Sequence, residues 1–161
     1  MENFWLILVG LIAYLLGSLS PAFMKFGKRV LEGETGIAGA MTVYRTARNL
    51  GYPLKRAAFW LLFVVAADGL KAVAAISIAR WGLVFLGYNL QAGIAVSALF
   101  AVLGHNHSLH LKVAMGEFRG GRGISSVWGA AWLFSWVYAL IGLGILLAGS
   151  WTVEWVESRL R

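Results

Sequence analysis

The chain has 161 residues, 60% of them hydrophobic and only 13% charged, with a formal net charge of +7 and no cysteine. A soluble domain of that size cannot hide so much apolar surface, whereas a polytopic membrane protein has no need to. Disulfides, zinc–thiolate sites and thiol catalysis are excluded. The basic residues lie between apolar runs rather than along one helix face, which fits a membrane, anionic lipid or phosphate and not a nucleic acid.

The first apolar run, approximately residues 4–24, has only Glu2 ahead of it and no small-residue cleavage site behind it. It reads as a membrane span rather than a removable signal. "GSLSPAF", with Pro21, reads as the exit of that span, its small residues allowing close packing. The connection that follows carries Lys25, Lys28, Arg29, Arg45, Arg48, Lys55 and Arg56. Its middle, "GETGIAGAMTVYRTARNLGY" (33–52), is rich in Gly, Ala and Thr. A partly re-entrant segment lining a cavity explains that composition, with ordinary packing against the spans as the alternative.

The second span, 57–79, contains Asp68 and Lys71 in "AADGLKAV". A charge at mid-membrane costs roughly 2.5–3.5 kcal/mol even on the lenient insertion scale. At i and i+3 the two share a face and can neutralise each other. They read either as a structural ion pair between helices or as a pair that tunes an interior polar site.

The 80–91 connection carries only Arg80, and the third span, 92–111, ends with His105, His107 and His110. The histidines read as interfacial residues closing the span, or one of them as a general base or tetrapyrrole ligand. A metal site would lack ligands, since no carboxylate is close except Glu117. Next comes "FRGGRG", where Gly120, Gly121 and Gly123 flank Arg119 and Arg122. Backbone N–H groups of such a turn, a helix N-terminus and arginine forks all suit phosphate oxygens. A tight turn with basic anchors is the plain alternative.

A fourth span is expected over 124–149. The tail "SWTVEWVESRLR", with Trp151 and Trp155, reads as an interfacial amphipathic helix. Basic residues favour the first and third connections, which places those loops in the cytoplasm and the amino terminus outside. The expected fold is thus a single all-α polytopic membrane domain over 1–161 with about four transmembrane helices. No serine lies in a G-x-S-x-G elbow.

Four blocks, in order, resemble the bacterial integral-membrane glycerol-3-phosphate acyltransferases that use acyl phosphate. "AYLLGSLSP" (13–21) is similar to that family's A-Y-L-L-G-S-I-P, with Ser20 displacing the proline by one place. "ETGIAGAMTVYR" (34–45) resembles G-S-G-N-x-G-A-T-N-V-x-R, with Ile37, Met41 and Thr42 in place of Asn, Thr and Asn. "DGLKA" (68–72) resembles D-x-x-K-G. "GHNHS…FRGGRGISS" (104–126) resembles G-H-x-F-P followed by F-K-G-G-K-G-V-A-T, with Ser108 for proline and Arg122 for lysine.

The resemblance implies acyl transfer from acyl phosphate to the 1-hydroxyl of glycerol 3-phosphate, giving lysophosphatidate for phospholipid synthesis at the inner membrane. It implies no metal, no cofactor and no covalent acyl-enzyme. By position it implies Arg45, His105 and Arg122 as catalytic residues. It implies Thr35, Gly36, Arg119, Gly120, Gly121 and Gly123 as phosphate-binding, and Asp68 with Lys71 as an intramembrane ion pair. The family has a late cytoplasmic block with His, Asn and Glu, which "WTVEWVESRLR" does not resemble. The alternative expectation is therefore a shortened relative serving as a structural or lipid-binding subunit with partner membrane chains. Eight tryptophans and 14% aromatics suit that packing role.

Overall fold

The computed structural model describes residues 2–31, 39–87, 89–121 and 124–135, together with 137 and 140. The described residues form seven α-helices and no strand. They are α1 (Glu2–Ser18), α2 (Pro21–Phe26), α3 (Ala40–Asn49), α4 (Leu54–Phe85), α5 (Leu90–Asn106), α6 (Leu109–Met115) and α7 (Ile124–Phe134). A short 3-10 turn, Gly27–Val30, follows α2. Among the described residues, two stretches are long and apolar enough to cross a membrane: Phe4–Val30, taken across its break, and α4. The 32 residues of α4 span about 48 Å, well beyond a hydrocarbon core.

The expected spans and the observed helices differ in three places. Apolarity runs unbroken through residues 4–24, yet the helix stops at Ser18 and restarts at Pro21. The Ser20 hydroxyl caps the new start by accepting from Phe23 N at 3.3 Å, and Pro21 occupies the first turn, where its missing N–H does no harm. "GSLSPAF" is therefore a break within the first apolar segment and not its exit. The third expected span is broken too. α5 ends at Asn106 and α6 restarts at Leu109, with Ser108 as its cap, accepting from Leu111 N at 3.1 Å. α4 begins three residues before the expected second span and runs six beyond it, to Phe85. Of the fourth expected span only α7 and residues 135, 137 and 140 are described. The tail 150–161 lies outside the described residues.

Side-chain size, not polarity, separates the inner from the outer face of α1. Phe4, Ile7, Leu11 and Leu15, at helical spacing, are exposed. Gly10, Ala13 and Gly17 face inward, and a side chain at Gly17 would collide with the backbone of Ala101. Reciprocally, one at Gly104 of α5 would strike the Tyr14 carbonyl. Large apolar residues outside and small ones at the crossing is the arrangement expected where lipid is the solvent. α4 and α7 meet the same way, with Gly129 against the backbone of Gly69.

Two apolar clusters hold the bundle. One is an alanine-rich contact of Ala13, Ala72, Ala75 and Ala101. The other gathers Ala22, Phe26 and Val30 with Val43 and Ala47 of α3, Ala57 and Val64 of α4, and Leu111 of α6. In α1, α4 and α5 the chain between the two clusters is where polar side chains enter.

Candidate active site

Asp68 lies on α4 between Val64 and Ala72, each a member of one apolar cluster, and is only 3% exposed. Lys71 Nζ stands 2.8 Å from Asp68 Oδ1, one helical turn along. The same ammonium donates to the Leu19 carbonyl at 2.6 Å. His105 Nδ1, on α5, faces the same carboxylate oxygen at 3.5 Å. The Ser126 hydroxyl, on α7, donates to the Asp68 backbone carbonyl at 3.3 Å. The Asp68 carboxylate thus meets the end of α5 directly and the break in the first helix through Lys71, while the Asp68 backbone carbonyl meets the start of α7.

The break itself exposes backbone groups that must find partners where water is scarce. The Ser18 carbonyl accepts from the Ser108 hydroxyl and the Leu19 carbonyl from Lys71. The Ser20 amide donates to His110 Nδ1 at 3.4 Å, which makes that nitrogen the unprotonated one. Tyr14 donates its hydroxyl proton to the His107 carbonyl at 2.7 Å. The irregular segments 18–20 and 106–108 therefore complete one another.

The glycine turn docks on this junction. Ser108 N donates to the Arg119 carbonyl at 3.1 Å, and Gly121 N to the His105 carbonyl at 3.1 Å. Segment 119–121 so runs antiparallel to the end of α5. A side chain at Gly120 would strike the carbonyls of His105 and Asn106, and one at Gly121 would strike the His105 imidazole. Close approach to α5 is what these glycines serve, and the Gly121 amide is already committed. The opening amides of α7 have no partner within the helix itself.

The structure brings Asp68, Lys71, His105, Gly120 and Gly121 together. Arg119 lies at the rim, its Nε and Nη2 at 3.0 and 2.9 Å from Glu117 Oε2, an exposed pair that a phosphate could displace at small cost. Arg45 is exposed on α3 and is not joined to this cluster by any hydrogen bond or ion pair. Thr35, Gly36, Arg122 and Gly123 lie outside the described residues. Sequence reasoning overlooked Ser108, Ser126 and the Leu19 carbonyl. Ser20 and Ser108, each opening a helix as its cap, were the available signal for the two breaks.

The sequence profile of the family described as glycerol-3-phosphate acyltransferase matches residues 7–159. The glycerol-3-phosphate acyltransferase of Thermoanaerobacter pseudethanolicus is 34% identical over 143 residues, covering 86% of this chain and 62% of the relative. Glycerol-3-phosphate acyltransferase 2 of Moorella thermoacetica is 32% identical over 132 residues, covering 78% and 56%. The Helicobacter acinonychis enzyme of the same name is 31% identical over 137 residues, covering 83% and 57%. The chain thus spans a little over half the length of these curated relatives. No solved structure matches it. The blocks around the helix break, the Asp68–Lys71 pair and the glycine turn fall within the matched region, and the chain belongs to the glycerol-3-phosphate acyltransferase family.

Proposed function

We propose that the chain is an integral membrane acyltransferase that moves an acyl group from acyl phosphate to the 1-hydroxyl of glycerol 3-phosphate. The observation that carries this reading is the docked glycine turn. It presents Arg119 and the start of α7 beside a buried, charge-balanced layer, with Arg122 between them in sequence. Two phosphate-bearing substrates need cationic groups held in place, and Arg119, Arg122 and Arg45 with the first-turn amides of α7 provide them. Thr35 and Gly36 belong to the same proposed site through the family resemblance.

The reaction forms a bond between the glycerol oxygen and the acyl carbon and breaks the bond from that carbon to the phosphate oxygen. The hydroxyl proton leaves with the released phosphate. The donor is already activated, so positioning and charge neutralisation supply the catalysis. Lys71 takes no phosphate, because its ammonium is engaged by Asp68 and the Leu19 carbonyl.

The site opens to the cytoplasm in this reading, with the amino terminus outside. Lys25 lies 4.6 Å from the Trp60 ring and Arg56 is 4.7 Å from that of Tyr52, which gathers the basic residues of α2 and early α4 at one end. Arg80 is about 36 Å beyond Arg56 along α4.

The test is acyl transfer by the purified full-length chain in detergent with long-chain acyl phosphate and labelled glycerol 3-phosphate. Lysophosphatidate is expected, with rates down roughly hundredfold in Arg45→Ala and Arg122→Ala. Absence of product from demonstrably folded protein would defeat this reading and favour a structural or lipid-binding subunit.

A further inference from the structure

We propose that His105 is a positioning residue, a spacer that Asp68 fixes and that in turn sets where the glycine turn lies. The inference rests on the phosphate-holding reading of that turn and names the residue that shapes it.

The two ring nitrogens of His105 face different elements. Nδ1 faces Asp68 at 3.5 Å, and Nε2 is the first atom a side chain at Gly121 would meet. The His105 backbone carbonyl accepts the Gly121 amide, and the residue is 7% exposed. A general base must come within about 3 Å of the proton it removes, and the nitrogen available for that, Nε2, lies beside Gly121.

Gly121 does not have a positive φ, so its backbone tolerates alanine. The three atoms nearest an added Cβ are all of the His105 ring: Nε2, Cε1 and Cδ2. The imidazole, and not the turn's conformation, demands glycine at 121. Gly120 differs, because an added Cβ there meets the backbone carbonyls of His105 and Asn106. The Asp68 carboxylate is itself paired with Lys71, so the ring is anchored at one edge and bears on the turn with the other.

The contrast between the two glycines gives the experiment. Asparagine at 105 keeps an N–H close to the place of Nδ1 and removes the far edge of the ring. In acyl-transfer assays on the full-length chain, Gly121→Ala is expected to raise KM for glycerol 3-phosphate about tenfold, with a smaller change in kcat. His105→Asn added to it returns most of that loss, while the same substitution added to Gly120→Ala returns none. If Gly121→Ala does not accumulate as folded protein, recovery in the double variant is the same rescue. A proton-transfer role for His105 requires the opposite, with kcat abolished in His105→Asn whatever stands at 121, and that outcome overturns the proposal. A wild type that makes no lysophosphatidate refutes the acyl-transfer reading alone. The spacer is then decided by melting temperatures, where a double variant more stable than Gly121→Ala supports it and additive losses sink it.

Discussion

The ammonium of Lys71 touches both Asp68, three residues back on its own helix, and the Leu19 carbonyl at the break of another. Removing it leaves a buried carboxylate without its counter-ion and a backbone carbonyl without its donor. Lys71→Met is expected to lower stability by about 3 kcal/mol or more, read from denaturant titration in detergent. Asp68→Asn combined with Lys71→Met is expected to be more stable than Lys71→Met alone, since no unpaired charge remains. A double variant no better than the single would mean that the Leu19 contact, not the ion pair, carries the effect. This pair was legible from spacing, because i and i+3 on a helix share a face. His105 was not, since it reaches Asp68 only through the packing of α5 against α4. Gly121 was misleading for a related reason. Consecutive glycines beside arginines suggest amides aimed at an anion, whereas this amide bonds to His105.

Helix crossings set the next scale. Gly17 and Gly104 bring α1 and α5 so close that a methyl group at either collides with backbone, which no rotamer change relieves. Gly17→Ala and Gly104→Ala are each expected to cost about 1–3 kcal/mol by overpacking, measured as a fall in melting midpoint. Gly82 on α4 has open space around its Cα, so Gly82→Ala is expected to leave the midpoint unchanged or raise it. Equal losses at all three would point to a general intolerance of substitution instead of these crossings. The cores of α1, α4 and α5 were legible as long apolar runs. Their interruptions were not, because Leu19, Leu109 and Leu111 keep the hydropathy high across both breaks. A window that averages hydropathy cannot see a break whose polar groups are main-chain carbonyls. The resemblance to the acyltransferase family was legible in four short blocks and holds across residues 7–159.

For the whole molecule, the distribution of charge gives an expected orientation. Among the described residues, cations collect on α2, α3, early α4 and α6, and only Arg80 lies toward the far end of α4. The absence of cysteine makes this simple to check. In right-side-out cell envelopes, a membrane-impermeant maleimide is expected to label Leu86→Cys and to reach Arg48→Cys only after the envelope is opened. The reverse pattern would invert the topology. The broken first helix carries a further consequence, for the order of assembly in the cell. Asp68 and Lys71 lie within one helix, so α4 can enter the bilayer with its charges already balanced. The first helix has no such internal remedy. Its Ser18 and Leu19 carbonyls are met only by Ser108 and Lys71, which are synthesised later. Pro21 has no N–H to give the Gly17 carbonyl and pushes Ser20 out of the helical region, so the nascent first helix already breaks here, with two carbonyls still lacking partners. Those carbonyls are satisfied only when the later helices arrive, so the bend is local but the junction that seats the glycine turn is completed last.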